Sequence, residues 1–140
     1  MSKRIYLICP VRNRSSQDKE FADGYVSGLE AAGNTVHYPP RDVDQSDDGI
    51  GHGISDAHRA FMRSCDEVHV VWDGESVGSH FDFGMAFMLQ AFRDVPIILA
   101  NPIVKTSRRS YGNMLSMLSE RARTSPARLE KTFGDLAGES

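Results

Sequence analysis

The sequence has no apolar run approaching the ~18 residues that a membrane span requires, and Met1-Ser2-Lys3-Arg4 leads directly into an apolar β run rather than into a signal peptide. A cytoplasmic protein is therefore expected, with no membrane partner. Cysteine is scarce: Cys9 and Cys65 are the two in the chain, they fall in or beside expected buried elements, and they lack CxxC spacing. They read as reduced packing residues. Charge of one sign is missing too. Sixteen Lys and Arg against 19 Asp and Glu leave a net charge of −3, which gives no general electrostatic reason to bind a nucleic-acid polymer or anionic lipid. Any anionic ligand must be met by local groups. Internal repeats and low-complexity segments are absent as well.

What is there fits an ordinary globular protein of 40% hydrophobic and 25% charged residues. At 140 residues the chain suffices for one domain with a real core and is too short for two. The residues after about 123 are expected to be peripheral, with a further helix up to about Phe133 and a frayed end.

The chain alternates strands and helices. Ile5 to Cys9 is an apolar run stopped by Pro10, as suits a central parallel strand. A polar loop follows, then a helix from about Asp18 to Ala32 with Phe21, Tyr25 and Leu29 on one face and Gly33 at its end. Asn34 to Tyr38 reads as the second strand, ended by Pro39-Pro40. From Arg41 to Gly53 the chain is acidic and aperiodic, a mobile loop whose carboxylate spacing does not fit a calcium loop. No metal site is expected there. Ile54 to Ser64 has helical spacing through Ile54, Ala57, Phe61 and Met62, and Glu67 to Trp72 is the third strand. A helix from about Ser79 to Phe92, a fourth strand over Pro96 to Ala100 and a helix over Asn113 to Arg121 complete the pattern. Pro102-Ile103-Val104 is a candidate fifth strand.

Four to five strands joined by helical crossovers imply a flavodoxin-like, doubly wound parallel sheet with helices on both faces. The default order 2-1-3-4-5 brings the ends of strands one and three together at the switch point, where ligands bind in such sheets. Tyr6 to Arg12 should then face Asp73 to Asp82.

The converging loops supply Arg12, Asp56, Asp73, Ser76, Gly78 and Asp82. Carboxylates, a guanidinium, a small hydroxyl and a glycine for close backbone approach form a coherent set for a sugar phosphate. Asp82 is the unusual member, an acid within a helix whose other inward positions include Met85, Ala86 and Leu89. One carboxylate can attack an anomeric carbon while another serves in acid–base work. The spacing Ser79-x-x-Asp82 reads equally as a capping box, with both side chains spent on the first helical amides. His69 reads as a satisfied core histidine, and Trp72 as core or interface.

Three segments carry a resemblance to a known family: Ile5-Tyr6-Leu7-Ile8-Cys9-Pro10, Ser64-Cys65-Asp66-Glu67-Val68, and Ser76-Val77-Gly78-Ser79-His80-Phe81-Asp82-Phe83-Gly84-Met85-Ala86. Together they resemble the nucleoside 2-deoxyribosyltransferases and, more closely, the related 2'-deoxynucleoside 5'-monophosphate N-glycosidases. The resemblance implies cleavage of an N-glycosidic bond, with Asp82 standing where the family has a nucleophilic glutamate. Asp56, 26 residues earlier, is matched to the family's assisting aspartate. Arg12 and Ser76 match positions that hold a 5'-phosphate, Gly78 lies in the same turn, and Tyr6 matches an aromatic lining the pocket. Asn113, in Tyr111-Gly112-Asn113-Met114, is nominated for a residue that reaches a neighbouring subunit's site. A nucleoside or nucleotide partner, a homodimer or higher oligomer, and no cofactor are implied. The exchange of glutamate for aspartate leaves open a second reading, a catalytically inactive nucleotide-binding protein of the same fold. A flavodoxin-type phosphoryl or redox protein is disfavoured, because no phosphate loop precedes the first helix.

Overall fold

Parallel strands that are apolar on both faces must be covered on both, and the computed structural model, which describes residues 2–46 and 49–124, meets that demand with two clusters. The elements in chain order are β1 (Arg4–Ile8), α1 (Ser16–Ala31), β2 (Thr35–His37), α2 (Pro39–Asp42), α3 (His52–Met62), β3 (Glu67–Val70), α4 (Val77–Arg93), β4 (Ile97–Leu99) and α5 (Tyr111–Thr124). The sheet runs β2-β1-β3-β4, and every pairing is parallel. Strands one to four keep the expected order, and the flavodoxin-like α/β class is present. The helix expected up to Phe133 lies outside the described residues.

Alternation along β1 sends Tyr6 and Ile8 to one cluster and Ile5, Leu7 and Cys9 to the other. The first cluster gathers Val68, Val70, Trp72, Phe83, Ala86, Ile97, Leu115 and Leu118. The second packs Ala22 and Val26 of α1 against Val36, Tyr38 and Val71. Both cysteines are buried and free. A buried polar chain crosses the α1 side: Lys3 Nζ donates to Glu67 at 3.0 Å, His69 Nε2 donates to Glu67 at 2.9 Å, and Tyr25 shares a 2.6 Å hydrogen bond with His69 Nδ1. His69 is thus the satisfied core histidine that the sequence suggests.

Two expectations change. The acidic stretch after β2 opens with a short helix, α2, because Pro39 and Pro40 sit at a helix start, where a missing N–H costs nothing. Among the described residues there is no fifth strand over Pro102-Ile103-Val104. The outer edge of β4 is already occupied: Leu99 N–H donates to Ser119 Oγ at 2.9 Å, and Arg123 donates to Leu99 O at 2.9 Å. Side chains of α5 thereby blunt the edge that a fifth strand would need.

Ser119→Ala should leave the part-buried Leu99 N–H without its partner and lower unfolding free energy by about 0.5–1.5 kcal/mol, the net worth of a typical hydrogen bond. Urea unfolding followed by circular dichroism measures it.

Candidate active site

β1 and β3 are neighbours, so their carboxyl ends open into one cavity of about 610 Å³ that takes in the start of α4 and one side of α3. Ligand pockets of this kind lie in the range of about 300–1,000 Å³. Its lining includes Arg12, Asn13, Gln45, His58, Asp73, Ser76, Gly78, Ser79 and Asp82.

The entry to α4 is fixed locally. Asp73 Oδ1 accepts from the amides of Glu75 and Ser76, both at 2.9 Å, across a turn in which Gly74 takes a φ of +79° that a side chain would resist. Ser76 then caps the helix, its Oγ accepting from Ser79 N–H at 3.2 Å. His80 Nδ1 donates to Ser76 O at 2.7 Å, and the ring packs on Trp72. Because Ser76 holds the cap, the capping box between Ser79 and Asp82 does not form. Asp82 is instead the sixth residue of α4, with its side chain released from the helix end and turned inward.

The Asp82 residue is 7% exposed, and its carboxylate is held from two sides. Tyr6 O–H donates to Oδ2 at 3.1 Å, and His58 Nδ1 lies 3.3 Å from Oδ2 and 3.5 Å from Oδ1. Aromatic rings pack behind this pair. Tyr6 stacks on His37 at 5.2 Å between centroids, His37 stacks on Phe61 at 4.4 Å, and His58 meets Tyr6 edge-on at 5.9 Å. Burial, reinforced by the Asp82 charge, raises the Tyr6 phenol well above its ordinary pKa. It stays a donor at any working pH. Cys9, also in the lining, has its thiol pushed up to about 12 by burial, so it supplies no thiolate nucleophile near neutrality.

The residues singled out in the sequence fall into three groups. Arg12, Asp73, Ser76, Gly78 and Asp82 line the cavity together. Tyr6 lies beneath it rather than in its wall, fully buried and spent on Asp82. Asp56 and Asn113 are elsewhere. Asp56 is half-exposed on the outer side of α3, paired with Arg59 at 2.8 Å. Asn113 binds its own chain, donating to Thr106 O and Arg108 O at 2.8 Å and accepting from Thr106 N–H at 3.1 Å, which ties the loop before α5 to that helix. The partner of Asp82 on α3 is His58, which the sequence reading did not single out. Helical phase carries the signal: His58 lies on the stripe of Ile54, Phe61 and Met62, whereas Asp56 is two residues, about 200°, away from it.

No family model matches the chain, and no curated protein matches it. Among solved structures the fold recurs: an α/β protein with this parallel-sheet architecture superposes with a TM-score of 0.56 over 73% of this chain and 77% of its own. That structure is a 2-deoxyribosyltransferase from the psychrotolerant bacterium Bacillus psychrosaccharolyticus, 16% identical in sequence and described as a biocatalyst for nucleoside synthesis. The chain therefore has the fold of a 2-deoxyribosyltransferase.

His37 supplies a pH test of the aromatic packing. Burial lowers its pKa, so folding disfavours its protonated form, while in the unfolded chain it titrates near its ordinary value of about 6.5. Below that pH the unfolded state binds the extra proton, and stability falls as pH drops. Denaturant melts of wild type and His37→Phe at pH 7.5 and 5.5 should show the smaller acid loss in the variant.

Proposed function

We propose that this chain breaks the N-glycosidic bond of a nucleoside or nucleoside 5'-monophosphate, as an N-glycosidase or a deoxyribosyltransferase. The observation that carries the reading is the Asp82 carboxylate, buried in the floor of the cavity and held by Tyr6 and His58. Asp82 acts as the nucleophile: one oxygen bonds to the anomeric carbon as the base departs, and water or a second base then takes the sugar. Fixed donors on the carboxylate aim it without reorganisation during the reaction.

The phosphate end is supplied by Arg12 and by the first turn of α4 around Ser76 and Gly78. The opening amides of a helix have no partners within it, and its dipole favours an anion. Arg12 is exposed in the cavity wall and makes no ion pair among the described residues. Gly78 leaves the approach to this turn open, with nothing within 4 Å of where a Cβ would stand. A 5'-monophosphate is accordingly the preferred substrate over the free nucleoside.

One observation favours binding without turnover as a second reading: Asp82 is engaged by two donors before any substrate arrives, which lowers its nucleophilicity. Self-association is also proposed, through the exposed apolar residues Val77, Phe81, Met88 and Phe92 along α4. Sedimentation velocity tests it, and a monomer throughout would overturn it.

Purified protein incubated with 2'-deoxynucleosides and their 5'-monophosphates should release free base, read by chromatography. Asp82→Ala should abolish release, whereas Asp56→Ala should leave it essentially unchanged. Ligand binding by calorimetry with no release from any substrate would support the second reading, and full release by Asp82→Ala would refute the nucleophile.

Arg12→Ala should raise KM for the monophosphate with little change for the nucleoside. A charge-assisted contact of about 1.5–3 kcal/mol corresponds to a roughly 10- to 150-fold loss in kcat/KM.

A further inference from the structure

We infer that His58 is the proton donor to the departing base, an inference that rests on the glycosidic reading above. The ring is 8% exposed, and its two nitrogens are in different situations. Nδ1 faces Asp82 at 3.3 Å, so the carboxylate holds the Nδ1–H tautomer in place. Nε2 makes no hydrogen bond and is closed off from the cavity that the residue helps to line, so the ring shifts to present it to a ligand. A buried polar atom without a partner costs free energy that a ligand group can return. The breadth of the imidazole separates Nε2 from the Asp82 oxygen by roughly the 5–5.5 Å that divides the two groups of a retaining glycosidase.

The other titratable groups near the site are committed elsewhere. The Tyr6 proton is given to Asp82 and held by burial. The Cys9 thiol is too weak an acid. His37 lines a neighbouring recess with Asp42 and Asp44, and burial lowers its pKa. Asp73 lies at the cavity mouth with Glu75 and serves the turn before α4.

The step balances as follows. The bond from the anomeric carbon to the base nitrogen breaks, and its electron pair stays with the base. The proton on Nε2 of the His58 imidazolium passes to the base, and an Asp82 oxygen bonds to the anomeric carbon. Water then attacks that carbon, neutral His58 accepts the water proton at Nε2, and Asp82 leaves as the carboxylate.

The test compares leaving groups. A purine 2'-deoxynucleoside 5'-monophosphate needs a proton on its departing base, whereas its N7-methylated counterpart carries a cationic base that leaves neutral without one. His58→Asn keeps a side-chain N–H that can reach Asp82 but has no proton at the Nε2 position. His58→Gln is the second variant, should the first fail to fold by circular dichroism. Against the ordinary substrate, kcat/KM should fall by about 10²–10⁴-fold, the usual worth of general acid catalysis. The methylated substrate should be cleaved at close to the wild-type rate. Equal losses on both substrates, or no loss on the ordinary one, overturn the proposal and leave the glycosidic reading standing. Wild-type protein that cleaves neither substrate overturns that reading, and the role of His58 with it.

Discussion

An ionised carboxylate taken out of water costs several kcal/mol unless fixed donors replace its hydration. Asp82 is that group here, and the chain answers from two distant points of the sequence. The Tyr6 hydroxyl comes from the first strand and the His58 imidazole from the third helix. Neither is near α4 in the chain, so the charge is tolerated only when β1 lies beside β3 and α3 packs against α4. The order β2-β1-β3-β4 is thus a condition for the site as well as a description of the sheet.

Upstream of Asp82 the constraint becomes one of phase. The turn held by Asp73, the positive φ of Gly74 and the cap of Ser76 decide where α4 begins. With Val77 as its first residue, the helix buries Ser79, Asp82, Phe83 and Ala86 while Val77, Phe81 and Met88 remain outside. A start one residue later would rotate the carboxylate by about 100°, off the line to Tyr6 and His58. The small polar residues of the turn thereby govern the direction of a side chain several positions away.

Much of this was legible in the sequence, for physical reasons that differ between elements. Apolar runs bounded by proline and glycine marked all four strands, and the need for right-handed crossovers ordered them. Asp82 stood out as a charge among inward apolar positions. Asp56 was misjudged because an acid near a helix start resembles a functional carboxylate when the phase of that helix is ignored. His58 escaped because a histidine on an apolar stripe has no visible partner until the fold supplies one across 24 residues. Phe87 is half-exposed, since α4 covers the sheet with a narrower face than its apolar content implies. Pro102 to Val104 had strand-like residues, yet Ser119 and Arg123 had already taken the edge of β4.

The length of the acid at position 82 makes sense only together with the size of its partner. An aspartate sets its carboxylate about one methylene nearer the α4 backbone than a glutamate would, and the His58 ring reaches across from α3 to meet it there at hydrogen-bond range. A longer acid would press into that ring or turn away from Tyr6. The recessed carboxylate also keeps that end of the cavity close to the helix. Gly78 and Asp82 are four residues apart, about 6 Å along the axis. On the proposed reading, anion binding at the first amides and chemistry at the carboxylate lie along a single helix, and the spacing between them is set by backbone geometry rather than by flexible side chains.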